Sequence, residues 1–190
     1  MPVHPNRGAI GRAAVIAGVV TLLLGACVPT EPIAVVTTSG TTAPVFATDA
    51  EALAAAEEAY AAYLAMSDLI AQEGGRDPER IAPFVTEEQL VEELEGFASL
   101  LGSGVQLAGE TDLVSFQLQS ADLDRNSSSL SAYVCLDYSA AEFRRPDGSA
   151  VNTARPFSTV LVLTHFSLET ADGIPRVALV EPWTQDSECQ

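Results

Sequence analysis

LVSFQLQS at residues 113–120 and LSAYVCLD at residues 130–137 decide the fold of this chain, because in both the apolar positions recur every second residue. In the first, Val114, Phe116 and Leu118 alternate with Ser115, Gln117 and Gln119, the pattern of a β-strand with one buried face. The second predicts a strand over Leu130 to Phe143, with Leu130, Ala132, Val134 and Leu136 on one side and Ser131, Tyr133, Cys135 and Asp137 on the other. Further on, Asp147 with Gly148 marks a turn, and Phe157 to Glu169, apolar on both faces, reads as a central strand. Asp172 with Gly173 then turns the chain into a last strand, Ile174 to Trp183. No helical period separates these strands, so they form an antiparallel meander and a doubly wound fold is excluded.

Upstream of the strands the period is helical. A first helix is expected from Thr48 to about Gln72, opened by a capping box in which the Thr48 hydroxyl serves the free amides and Glu51 reaches back. Leu53, Ala56, Tyr60, Tyr63, Leu64 and Ile70 make its buried stripe, Glu51, Glu57, Glu58 and Asp68 its solvent face, and Gly74 and Gly75 stop it. Ile81 to Val85 predict a short extra turn after Pro78. A second helix starts at Thr86, with Gln89 three residues on and Val85 and Leu90 placed as a hydrophobic staple. Its stripe is Leu90, Leu94, Phe97, Ala98 and Leu101, and Gly102 and Gly104 end it. Residues 48–190 are therefore read as one α+β domain, its helices covering one face of a curved antiparallel sheet of four or more strands.

Residues 1–26 have the layout of a secretory signal: basic Arg7 and Arg12, an apolar run from Ala13 to Leu24, and a small-residue exit at Gly25 and Ala26. A run of twelve residues falls well short of the ~20 a membrane-spanning helix needs. Leu24, Gly25, Ala26 and Cys27 resemble the bacterial lipobox, which implies that Cys27 carries a diacylglycerol and becomes the first residue of the mature chain. Acyl chains contribute about 0.8 kcal/mol per buried methylene, so two of them anchor stably at the extracytoplasmic face of the cell membrane. Residues 27–47, with Pro29, Pro32 and Pro44 among threonines, read as a tether.

The formal net charge is −17, and loss of Arg7 and Arg12 with the leader leaves seven basic side chains against 26 acids, a net of −19. That field repels phosphate backbones, so nucleic acid is not an expected partner. The chain has no lysine and uses Ala and Arg freely, as coding by a high-G+C genome would produce.

The order of elements resembles the nuclear transport factor 2-like, or cystatin-like, fold, and more narrowly the small lipoproteins of high-G+C Gram-positive bacteria built on it. The stretches that carry the likeness are IAPFVTEEQL at 81–90, AYVCLDYSAAEFRRPDG at 132–148 and VEPWTQDSEC at 180–189. The resemblance implies N-terminal helices lying in the cone of a strongly bent sheet. Enzymes of that fold place an Asp, His or Tyr inside the cone, where burial raises a carboxyl pKa enough for proton abstraction. The residues here that suit such parts are Tyr133, Asp137, His165 and Glu181, with Asp137 and His165 as the candidate acid or base. A partly exposed sheet face explains all four equally well.

With Cys27 lipidated, Cys135 and Cys189 remain in an oxidising compartment, and a disulfide is the default expectation. Metal chemistry has little support, since His4 leaves with the leader and His165 stands alone in the domain. Asp122, Asp124, Asn126 and Ser128 begin like a calcium loop, but Ser127 replaces the turn glycine and Tyr133 the bidentate Glu, so a polar hairpin loop is expected. No phosphate loop, nucleophile elbow or cofactor signature is present in the sequence. The leading expectation is a membrane-tethered, non-enzymatic binding or interaction module without a cofactor, facing a small ligand or an envelope protein. The alternatives are an isomerase- or dehydratase-like enzyme using Asp137 or His165, and a structural accessory of an envelope complex.

Overall fold

The computed structural model describes residues 45–123, 128–151, 158–168, 170, 172–183 and 189. The expected leader, Cys27 and nearly all of the expected tether lie outside the described residues, as do Asp124 and Asn126 of the calcium-like loop.

Helix α1 spans Asp49–Gln72, and the Thr48 hydroxyl accepts a hydrogen bond from the Glu51 amide at 3.2 Å. The return arm of the expected capping box is displaced by one residue: Glu51 Oε2 accepts from the Ala47 amide at 3.0 Å. A 3-10 helix follows at Pro78–Phe84, and α2 spans Glu87–Ser103 with Thr86 as its N-cap. Gly102 lies inside α2, and Gly104 alone closes it, with φ 68° and its amide on the Leu101 carbonyl.

The strands are β1 Gln106–Ala108, β2 Asp112–Asp122, β3 Ser129–Asp137, β4 Glu142–Arg144, β5 Thr159–Ser167 and β6 Arg176–Pro182. They form an antiparallel four-stranded sheet in the order β2-β3-β5-β6 and a two-stranded ribbon of β1 with β4. The class is α+β, with the helices packed on an antiparallel sheet, and β5 is an inner strand as its two apolar faces predict. Phe157 and Glu169, the expected ends of β5, lie outside the described residues. The expected single strand from Leu130 to Phe143 is broken after Asp137. There Asp137 Oδ1 accepts from the Ser139 amide, turning the chain so that β4 leaves the main sheet and pairs with β1.

Inner-face parity holds on β3, where Leu130, Ala132, Val134 and Leu136 are all buried. It fails on β2. The β2–β3 register shifts between Leu113 and Ser115 and again between Leu118 and Ser120, so Leu113 and Phe116 face inward while Val114 is 55% exposed. Such bulges are common on edge strands, where they interrupt a ladder that another chain could extend. The other edge, β6, is tied down by a parallel bridge between Val85 and Val177 and by the Thr86 amide on the Val177 carbonyl.

The core lies between α1 and this inner face. Tyr60, Phe116 and Phe166 pack as a ring cluster with centroids 5.8 to 6.2 Å apart, and Ala52, Ala56, Ile70, Ile81 and Val177 surround it. Phe46, just before the cap, is buried in the same core. At the far end of α1, Gly75 takes φ 79°, and a Cβ there would lie 2.3 Å from the Phe97 carbonyl oxygen. Only glycine lets the end of α1 approach α2 this closely. Gly75→Ala is therefore expected to lower stability by roughly 2 kcal/mol or more, from left-handed strain plus the backbone clash. Gly104→Ala, where the added methyl meets nothing within 4 Å, is expected to show about 1–2 kcal/mol from the strain alone. Urea unfolding midpoints of the two variants measure the difference.

Candidate functional site

The residues chosen from the sequence lie on the sheet face that turns away from the helices. Strand alternation puts Ser131, Tyr133, Cys135 and Asp137 opposite the buried set of β3, and registers with β5 and β6 carry His165 and Glu181 to the same side. His165 Nδ1 lies 2.8 Å from Ser131 Oγ and its Nε2 3.2 Å from Glu181 Oε2, a ladder across three strands. It stands on an open surface, with the His165 side chain 35% and the Glu181 side chain 53% exposed. Tyr133 packs its ring on Trp183 with centroids 5.0 Å apart, and Asp137 is engaged by the turn at Ser139. None of the four lines the cleft described below; of the two placements the sequence left open, inside the cone or on a partly exposed sheet face, the structure puts them on the sheet face. Cys135 and Cys189 are joined as a disulfide on this same face, with Cα atoms 5.5 Å apart.

On the other side of the sheet, α1, α2, the β1–β4 ribbon and the inner face enclose a cleft of about 670 Å³. Two features make it. The turn after β3 carries Tyr138 and leads to Phe143 on β4, which with Leu107 of β1 forms one wall. The second is the rotation of α2, whose inward residues are Gln89, Leu90, Glu93, Leu94, Phe97 and Leu100, while Ala98 and Leu101 of the expected stripe are exposed. Leu101 would otherwise have continued the apolar seam; instead two polar side chains face the core.

Those two are bonded there. The Tyr63 hydroxyl donates to Glu93 Oε1 at 2.6 Å, and Gln89 Nε2 donates to the same oxygen at 3.0 Å. Gln89 thus spends its side chain on Glu93 and does not complete a capping box with Thr86. Asp68, expected on the solvent face of α1, is buried, and its carboxylate takes the Thr111 amide at 2.6 Å and the Thr111 hydroxyl at 3.0 Å. Burial raises its pKa above the ordinary carboxyl value against the opposing pull of these two bonds. Asp68 fastens α1 to the start of β2 and forms part of the cleft lining.

Burial likewise raises the Tyr60 and Tyr63 phenols above the ordinary tyrosine value, with the Glu93 carboxylate adding to the rise at Tyr63. The unfolded chain therefore loses these two protons first, near pH 10, so their contribution to stability is complete below that pH and falls away as the pH rises beyond it. Urea midpoints are expected to drop between pH 8 and about pH 11, and Tyr63→Phe or Tyr60→Phe to shrink the drop. An absorbance titration of tyrosinate gives the independent check: both phenols ionise only as the fold opens.

The sequence offered one signal for this site, the Tyr60–Tyr63 pair at helical spacing, which it assigned to the core. Their rings are indeed packed, with centroids 5.5 Å apart. Glu93 and Asp68 had no distinguishing signal, since each looks like one acid among many on an amphipathic helix.

No family model matches the sequence, and no curated protein matches it. Among solved structures the chain is similar to the crystal structure of the intermembrane space region of the chloroplast protein ARC6, with a TM-score of 0.52 at 10% identity. The match covers 70% of this chain and 97% of that one. At that identity the likeness is one of fold alone.

Proposed function

We propose that this chain is an exported lipoprotein, held by a diacylglycerol on Cys27 at the outer face of the cell membrane, whose nuclear transport factor 2-like domain binds a small ligand without turning it over. The observation that carries the reading is the cleft of about 670 Å³ between helices and sheet, a volume typical of small-molecule sites. Its lining joins aromatic rings to a few fixed polar groups, the usual composition of a specific pocket. The order of helices before strands and the position of a cleft between them support the cone-like fold, and the lipobox with its Pro/Thr tether supports the address.

Two experiments test the proposal. In cells fed an alkynyl fatty acid, the chain is expected to take up label and Cys27→Ala to lose it; label retained by that variant would refute the anchor. In a fragment screen followed by amide NMR, hits are expected to shift Gly96, Ser99 and Thr111. Hits that instead shift only the Tyr133 and His165 face would move the site to the outer sheet surface.

A further inference from the structure

We infer that the cleft is built for an organic cation, an amine or quaternary ammonium with an apolar body; this rests on the cleft being the binding site. Its lining contains Asp68, Glu92 and Glu93 and, among the described residues, neither an arginine nor a histidine. The four ion pairs among the described residues engage other acids, so none of these three carboxylates has a cationic partner. An anion entering the cleft would meet three carboxylates in its lining, that of Glu92 on the exposed side, and no arginine or histidine among the described lining residues. A neutral ligand would leave them as they are. A cation supplies what the chain, which has no lysine, withholds from this place.

The geometry favours an organic cation over a metal ion. Asp68 already holds the Thr111 amide and hydroxyl, and Glu93 Oε1 already accepts two hydrogen bonds, which leaves Glu93 Oε2 without a protein hydrogen bond among the described residues. That donor set is far from the six to eight oxygens a calcium ion takes. The walls are instead rings: Tyr60, Tyr63, Phe97, Tyr138 and Phe143 all line the cleft. An ammonium is attracted to the face of such rings, and more strongly where water is excluded. Because Tyr63 donates its hydroxyl proton to a carboxylate, its ring is more electron-rich than that of a free phenol, which strengthens this attraction. The net charge of the domain acts in the same direction, since a concave site in an acidic protein concentrates cations.

The test uses the full-length chain in a neutral maltoside detergent and three probes of similar size: benzyltrimethylammonium, N-benzylacetamide and phenylacetate. Calorimetric titration is expected to show binding of the cation at least tenfold tighter than the neutral amide, with no binding of the anion. Glu93→Gln preserves an acceptor for Tyr63, and this variant is expected to lose at least tenfold in affinity for the cation and to bind the amide unchanged. Gly96→Trp, at an exposed helical position with open space around it, is expected to block every probe. If the cation and the amide bind equally, and Glu93→Gln changes neither, the charge assignment is overturned while the cleft remains a site. Cation binding that survives Gly96→Trp shows that the cleft itself was misassigned, and failure of the cation to bind the native chain overturns the inference directly. Thermal melts of both variants in the absence of probe establish that each is folded.

Discussion

Replacing Cys189 by serine is expected to lower the free energy of unfolding by about 4 kcal/mol, the chain-entropy value for a closed loop of this length. The pair lies 54 residues apart in sequence, and the loop it closes contains β4, β5 and β6. Cys135 is fully buried on the outer sheet face, so its freed thiol behaves as a small apolar side chain and adds little of its own. Most of the effect therefore resides in the unfolded chain, which is released to explore many more conformations. Guanidinium unfolding of the native and variant chains, each with and without reductant, measures it. The two are expected to differ when oxidised and to coincide when reduced. A difference that persists in reductant would mean that Cys189 stabilises the fold by packing.

The second large effect is expected at Phe166, where truncation to alanine is predicted to remove about 3–5 kcal/mol. The side chain is 1% exposed and its ring touches those of Tyr60 and Phe116, so a methyl in its place leaves a cavity at the centre of the core. The informative comparison is with Leu179→Ala. Leu179 stands opposite His165 on the outer face and is 38% exposed, so its truncation is expected to remove no more than about 1 kcal/mol. Because Phe166 and His165 are adjacent in sequence, the contrast measures sheet parity directly. Similar losses at the two positions would mean that both faces of the sheet are covered.

The same parity explains why the candidate site was only partly legible. The sequence reading named Tyr133, Asp137, His165 and Glu181 as candidates and put Tyr133 and Asp137 on one strand face, and the registers bring His165 and Glu181 into contact on that same side. It left open which face met the helices, because β5 is apolar on both. The choice is made by Ala132, Val134 and Leu136 on the neighbouring strand, which have no polar alternative and turn inward together. Where β2 runs along the edge, two bulges reverse the alternation that its sequence displays, and Val114 is left outside. A period-two pattern specifies that a strand has two faces; register with a neighbour specifies where each residue of it lies.

Local order was determined by the sequence alone: the starts of both helices at Thr48 and Thr86, the turns at Asp147 and Asp172, and the helices-then-strands sequence; the Cys135–Cys189 disulfide was an expectation that the structure bears out. The caps and turns follow from interactions between residues a few positions apart and the order of elements from the change of period along the chain, and they need no knowledge of the rest of the fold. The tertiary structure alone decided the rotation of α2, the burial of Asp68 against Thr111 and the meeting of Tyr63 with Glu93. Each depends on groups from separate elements sharing one desolvated space. In that space a carboxylate is held by the hydrogen bonds it can find, and no spacing along the chain encodes them.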